Sequence, residues 1–171
     1  AILKLYLDNN QLSALPENFS DMNKLQILYL NDNKLNSLPA TISDMVSLEK
    51  LRLQNNRIVT LPDGIEELDA LIELYIYDNL LESLPENIGS MENLKNLMLG
   101  GNLLSTFPSS LCDIFPLELF SVNNNNICSS SIPDCYWDTY DEWSQVQTCS
   151  ACAPWEIEVD NYCADTLDVN I

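Results

Sequence analysis

The sequence predicts an α/β solenoid built from stacked copies of one short unit. Two observations support this prediction. An asparagine recurs in a single register every 23 residues, and the apolar residues around it recur with the same spacing. One unit of this length cannot bury its own apolar side, so neighbouring units must stack to form a continuous core. The recurring asparagines are Asn10, Asn33, Asn56, Asn79, Asn102 and Asn125.

The asparagine at the centre of the chain shows why an amide belongs in this core. Asn56 lies between the apolar residues Leu53 and Ile58, and a buried amide costs free energy unless its hydrogen bonds are made. A sharp bend after each apolar run would turn backbone N–H and C=O groups toward the core, where they need partners. Asparagine supplies both donors and acceptors. We therefore expect all six asparagines to have structural roles.

The repeat resembles the 23-residue class of the leucine-rich repeat family, with the pattern L-x-x-L-x-L-x-x-N-x-L-x-x-L-P. Residues 48–62 follow this pattern closely, and the resemblance covers residues 2 to about 127. It implies a curved solenoid with a parallel concave sheet of one short strand per repeat, and a convex side of turns, 3-10 helices or short helices. It also implies that the asparagines form a ladder between neighbouring turns.

The chain divides by composition into two parts. We expect repeats over residues 1–127, with the first repeat uncapped, and a capping segment rich in Cys and Trp over residues 128–171. A cap is needed because the last turn of a solenoid otherwise exposes its apolar core. Cysteine-stapled C-terminal caps are typical of extracellular members of the family, so the resemblance also implies an extracellular or cell-surface location.

Charge and composition exclude several classes of function. The net charge is −19, with 26 acidic residues, 7 basic residues and no His. Nucleic-acid binding depends on neutralising phosphates, and anionic membrane surfaces attract basic segments, so neither partner is expected. No run of about 18 apolar residues is present to cross a membrane. Without His, a phosphate-binding loop or a nucleophile beside a base, we expect no catalysis, no cofactor and no metal.

Six cysteines lie in the last third of the chain. An even, clustered number favours disulfides and an oxidising compartment. Zinc is the alternative, because Cys149 and Cys152 have the spacing of half a zinc site, but without His such a site needs four thiolates. Cys112 and Cys135 lie one repeat apart, at equivalent positions on successive turns, so we predict that they form a disulfide. The other four, whose pairing stays open, are Cys128, Cys149, Cys152 and Cys163.

A candidate binding surface follows from the way side chains alternate between the two faces of each strand. In each "L-x-L" strand the leucines point inward and the side chains between and beside them point outward. Aromatic residues and Arg are enriched at binding hot spots, although Tyr also suits exposed strand positions without a partner. Gly100 and Gly101 leave a gap in this surface that a ligand could approach. The candidate binding residues are Tyr6, Tyr29, Lys50, Arg52, Tyr75, Tyr77 and Met98.

Two functions remain open from the sequence. The first is an extracellular recognition module that binds a protein or a glycan through its concave face. The second is a structural subunit of a filament or matrix, assembled head-to-tail from copies of this chain. The second arises because "AILKLYL" begins inside a repeat, so that either earlier repeats or a neighbouring molecule should cover its strand edge. Asn18, in the sequon Asn18-Phe19-Ser20, is a candidate glycosylation site on either view.

Overall fold

Six short parallel strands form the sheet of the solenoid in the computed structural model. The structure describes residues 2–127, Cys135, and the backbone of residues 156–159 and 162–165. The sheet runs in chain order, β1 to β6, which confirms the predicted fold class. Its strands are β1 (Lys4–Tyr6), β2 (Ile27–Tyr29), β3 (Lys50–Arg52), β4 (Glu73–Tyr75), β5 (Asn96–Met98) and β6 (Leu119–Ser121).

The strand register reproduces the sequence period. Leu5 pairs with Leu28, and Leu28 pairs with Leu51, each partner lying 23 residues further along the chain. Side chains alternate between the two faces of a strand. The central leucines of β2 to β5 are therefore fully buried, while the residues on either side of them face outward in rows that cross the sheet.

Each strand is three residues long because the chain turns sharply after it. One residue before each ladder asparagine has a positive φ, as at Asp32 (56°) and Asp78 (52°). Asn, Asp and Gly adopt this left-handed conformation more easily than other residues. The residues at the turn are Asn9, Asp32, Asn55, Asp78, Gly101 and Asn124.

The ladder asparagines bond neighbouring turns together. The Asn56 Oδ1 accepts a hydrogen bond from the Leu35 N–H at 2.9 Å, and its Nδ2 donates to Leu30 O at 3.0 Å. Asn33, Asn79, Asn102 and Asn125 repeat this arrangement. Asn10 differs, because it is exposed and, among the described residues, its Nδ2 donates to Leu7 O and Asp8 O within its own turn.

The other side of the solenoid consists of 3-10 helices that follow the proline-containing turns. Each contributes a buried apolar residue, such as Ile42 or Ile65, to the same core as the strand leucines. Adjacent helices stack on one another in chain order. Their bounds are Glu17–Asp21, Ala40–Asp44, Ile65–Glu67, Ile88–Ser90 and Ser109–Ile114.

The C-terminal part contributes a disulfide and a second small sheet. A disulfide joins Cys112 to Cys135 with a Cα–Cα distance of 5.7 Å, which is the predicted pair. Strands β7 (Glu156–Val159) and β8 (Tyr162–Asp165) pair antiparallel. The other four cysteines lie outside the residues whose side chains the structure describes, so their pairing and the capping role of 128–171 stay predictions.

Candidate functional site

A row of four large side chains crosses the concave face on neighbouring strands. Tyr6, Tyr29, Arg52 and Tyr75 occupy the same register position on β1 to β4. The rings of Tyr6 and Tyr29 meet edge to face with centroids 5.0 Å apart. The guanidinium carbon of Arg52 lies 4.4 Å from the Tyr29 ring centroid and 5.1 Å from that of Tyr75. We call these four residues the Tyr–Arg row.

The Tyr–Arg row is held in place by the fold. In-register strands keep successive side chains about 4.8 Å apart, which matches the spacing needed for ring contacts and for a guanidinium against a ring. Arg52 therefore has an aromatic neighbour on both sides. Such a side chain loses less freedom when a ligand binds than an isolated exposed Arg would.

An acidic residue beside the row links two of the predicted basic residues. Glu73 accepts a hydrogen bond from Lys50 Nζ through Oε1, and its Oε2 lies 3.8 Å from an Arg52 terminal nitrogen. The hydrogen bond to Glu73 is the main reason that the pKa of Lys50 lies above its ordinary value. Glu73 is not among the candidate binding residues that the sequence predicts. Its position one full repeat after Lys50 was the available signal.

Several polar groups on this face have unused hydrogen-bonding capacity. Four buried atoms have no hydrogen-bond partner within the described part of the chain, namely Arg52 Nε, Glu73 Oε2, Gln54 Oε1 and Asn96 Oδ1. Gln54, only 7% exposed, lies just past the end of β3, and Asn96 follows Glu73 in register. Neither residue is among the candidate binding residues that the sequence predicts. These groups place several atoms without hydrogen-bond partners, within the described residues, near the centre of the concave face.

The remaining predicted binding residues lie beside this centre. Met98 continues the Tyr–Arg row on β5, opposite Tyr75, and is half-buried. Tyr77 lies just past the end of β4 and is also half-buried. The predicted gap at Gly100 is wrong, because the glycine is buried and a Cβ there would lie 2.6 Å from the Asn123 Oδ1. The Asn123 side chain occupies the space beside Gly100 where the sequence predicts a gap.

The sheet differs in charge from the rest of the molecule. Strands β1 to β6 contain the basic residues Lys4, Lys50 and Arg52 and the single acidic residue Glu73. The whole chain has a net charge of −19. The strand residues thus contain more basic than acidic groups, although the chain as a whole is strongly acidic.

Other types of site find little support in the described residues. Over residues 2–127 and the other described positions, no group of three or more acidic, His or Cys side chains could hold a metal ion. In the same residues, no helix has the length and apolar character to cross a membrane. Asn18 is exposed within the 3-10 helix Glu17–Asp21, outside the concave sheet.

The fold and this surface define a repeat-built module with an aromatic and basic concave face. Residues 3–99 match the family model for a leucine-rich repeat region. The match covers more than half of the chain, and the chain belongs to the leucine-rich repeat family. The comparison with curated proteins gives no match.

Solved structures of the same fold include bacterial and plant proteins. A leucine-rich repeat protein of Leptospira interrogans is 33% identical, with a TM-score of 0.74 over 80% of this chain and 34% of that one. The ectodomain of the Arabidopsis thaliana receptor kinase GASSHO1/SCHENGEN3, solved with CASPARIAN STRIP INTEGRITY FACTOR 2, is 29% identical, with a TM-score of 0.73 over 81% of this chain and 17% of that one.

A third similar structure is the plant peptide hormone receptor RGFR1 in complex with RGF2. It is 29% identical, with a TM-score of 0.68 over 74% of this chain and 21% of that one. The chain thus spans about a third of the Leptospira protein and about a fifth of each plant receptor.

Proposed function

We propose that this chain is a non-catalytic, extracellular recognition module that binds a protein or peptide partner through its concave face. The main support is the Tyr–Arg row, which places three tyrosines and one arginine in continuous contact on four neighbouring strands. Tyr and Arg are the residue types that dominate binding hot spots. The similar structures include a peptide hormone receptor and a receptor ectodomain, which favours a protein partner over a glycan.

The tyrosine hydroxyls also favour this function. Within the part of the chain that the structure describes, no side-chain hydrogen bond involves Tyr6, Tyr29, Tyr75 or Tyr77. A tyrosine presents both an apolar ring and a polar tip, and the polar tip usually finds a partner when it is buried. A ligand lying along the row could bury the rings and bond the hydroxyls at the same time.

A selection experiment tests the proposed surface. The chain is immobilised and used to select peptides from a displayed library of random sequences, and the selected peptides are then measured against variants. Replacing Tyr29 and Tyr75 together by Ala should weaken binding about a thousandfold where the two effects add, since hot-spot truncations cost about 2 kcal/mol each. The matched control replaces the exposed Leu80 and Leu103, which lie outside the strands, by Ala.

Two outcomes decide whether the concave face binds the peptides. Peptides that bind the control normally and fail to bind the tyrosine variant place recognition on the concave face. Peptides that bind both variants equally well would refute the proposal. Circular dichroism of each variant ensures that the comparison is made between folded proteins.

The extracellular location is supported by the Cys112–Cys135 disulfide, since disulfides persist in oxidising compartments. We propose further that Asn18 carries an N-linked glycan, because it is exposed in a sequon and lies off the concave sheet. Secretion from a eukaryotic cell should yield a product whose mass falls on enzymatic deglycosylation. The Asn18→Gln and Ser20→Ala variants should both lack this mass difference.

End-to-end assembly into a filament is the second proposal that remains from the sequence. It predicts a molecular mass that rises with protein concentration, measured by light scattering. If this rise occurs in the Tyr29→Ala/Tyr75→Ala variant as well, assembly uses surfaces other than the concave face. A mass that stays constant with concentration would contradict the filament.

A further inference from the structure

Arg52 makes two ring contacts and an ion pair with Glu73, but its hydrogen-bonding capacity is not used within the described residues. Its guanidinium lies between the rings of Tyr29 and Tyr75, yet no hydrogen bond from this side chain is found within the described residues. The closest acidic oxygen, Glu73 Oε2, lies 3.8 Å away, which is too long for a hydrogen bond. Within the same described residues, the buried Nε has no partner at all.

A buried Arg52 Nε without a hydrogen-bond partner costs folding free energy, which a ligand that bonds the guanidinium could offset. A guanidinium carries five N–H donors in a rigid plane, and burying an unpaired polar group costs free energy. The side chain is still 32% exposed, so its outer donors can be reached from the concave side. Glu73, the acidic residue beside these donors, already accepts a hydrogen bond from Lys50 through its other oxygen.

We propose that Arg52 binds the carboxylate of an acidic side chain on the partner, as the central specificity contact of the concave face. This inference rests on the proposed recognition function and adds the chemical class of the residue that is recognised. Arg pairs with a carboxylate through two parallel N–H···O bonds in one plane. The flanking rings of Tyr29 and Tyr75 limit the width available around the guanidinium, which suits a flat carboxylate.

The charges of the surface agree with this assignment. Lys4, Lys50 and Arg52 outnumber Glu73 on the strands, so the strand residues favour an incoming carboxylate. The strongly acidic remainder of the chain, which gives the net charge of −19, repels acidic molecules at long range. A single acidic side chain within an otherwise neutral or basic segment therefore fits this protein better than a polyanion.

The test extends the peptide selection to variants of Arg52. The probes are end-capped peptides, chosen from the random library by binding to the unmodified chain, together with copies in which each Asp or Glu is replaced by Asn or Gln. Wild-type selection should enrich Asp or Glu at one position. Arg52→Gln should weaken binding of the acidic peptides at least tenfold, and Arg52→Lys should have an intermediate effect because Lys keeps the charge without the planar fork.

A double-mutant cycle separates direct pairing from a structural effect. Replacing the peptide acid should weaken binding to the unmodified chain and should have almost no further effect on Arg52→Gln, since the pair is then already broken. The matched control is Arg57→Gln, which removes the same charge from an exposed residue outside the strands. It should leave binding within twofold of the unmodified chain.

Three results would overturn the inference. Peptides that need Tyr29 and Tyr75 but show no preference for Asp or Glu would refute the carboxylate contact and leave the proposed function standing. An equal loss in Arg57→Gln would show that general electrostatics, and not Arg52, attracts the acid. A selection that yields no tyrosine-dependent peptides would refute the inference and the proposed function together.

Discussion

The Asn79 side-chain oxygen accepts a hydrogen bond from the backbone N–H of Ile58, one turn earlier, at 2.9 Å. Its amide nitrogen donates to Leu53 O and Ile76 O, each at 3.0 Å. A single side chain thus pairs backbone groups of two successive turns. The surrounding leucines have no polar side-chain atoms, so they cannot satisfy the same groups.

Replacing Asn79 by Ala should therefore destabilise the fold strongly. The change leaves the buried Ile58 N–H without its acceptor, and Asn79 is only 6% exposed. Leu53 O and Ile76 O each lose one donor but keep the Nδ2 of Asn56 or Asn102. An unsatisfied buried group costs about 1–3 kcal/mol, so a loss of this size is expected. Urea unfolding followed by circular dichroism measures the change. The control Asn36→Ala, at an exposed residue, should stay within about 0.5 kcal/mol.

Removing the Cys112–Cys135 disulfide should also lower stability. The bridge closes a loop across a sequence separation of 23 residues, and the loss of this constraint on the unfolded chain corresponds to about 3 kcal/mol. The Cys112→Ser/Cys135→Ser double variant avoids leaving a free thiol that could form wrong disulfides. Its unfolding midpoint in urea should fall markedly. An unchanged midpoint, with the other cysteines still oxidised, would show that the bridge adds nothing to stability.

Gly89 lies where two successive 3-10 helices pack closely against each other. A Cβ at this buried position would overlap the backbone carbonyl of Ser110, and backbone atoms cannot rotate away as a side chain can. Gly89→Ala should cost about 1–3 kcal/mol, as overpacking does elsewhere. The neighbouring residue Ser90 provides the control, because it is exposed and Ser90→Ala adds no atom between the two helices. Equal melting temperatures for the two variants would contradict this packing.

The repeat period made most of this fold predictable. Because each asparagine and leucine recurs every 23 residues, the spacing alone places Leu28 beside Leu51 and Tyr29 beside Arg52, as the strand register has them. The Tyr–Arg row follows directly from that register. Periodicity works here because parallel in-register strands convert sequence spacing into distance across the sheet.

What escaped sequence analysis depends on side-chain conformation. The period puts Glu73 next to Lys50, yet only the structure shows that its second oxygen lies 3.8 Å from Arg52 as an ion pair and has no hydrogen-bond partner within the described residues. The sequence predicts an open gap at Gly100, because this residue lacks a side chain. The gap is filled by the Asn123 amide, whose position the sequence does not reveal. The turn residues with positive φ were detectable, since Asn, Asp or Gly recurs immediately before each ladder asparagine.

The Lys50–Glu73 pair gives a prediction for alkaline pH. The hydrogen bond to Glu73 raises the pKa of Lys50 in the folded chain, whereas in the unfolded chain this pKa lies at its ordinary value. A raised folded pKa means that the pair stabilises the fold fully below the unfolded pKa. This contribution is then lost as the pH rises through the folded pKa of Lys50.

Replacing Glu73 by Gln should therefore bring the pKa of Lys50 back toward its ordinary value, which NMR titration of the Lys50 side chain measures. The stability difference between the unmodified chain and Glu73→Gln should shrink as the pH rises through this range. Glu82→Gln, at an exposed residue, removes the same charge elsewhere and should leave the pKa of Lys50 close to that of the unmodified chain. An equal shift in both variants would mean that the general negative charge, and not the contact with Glu73, holds the proton on Lys50.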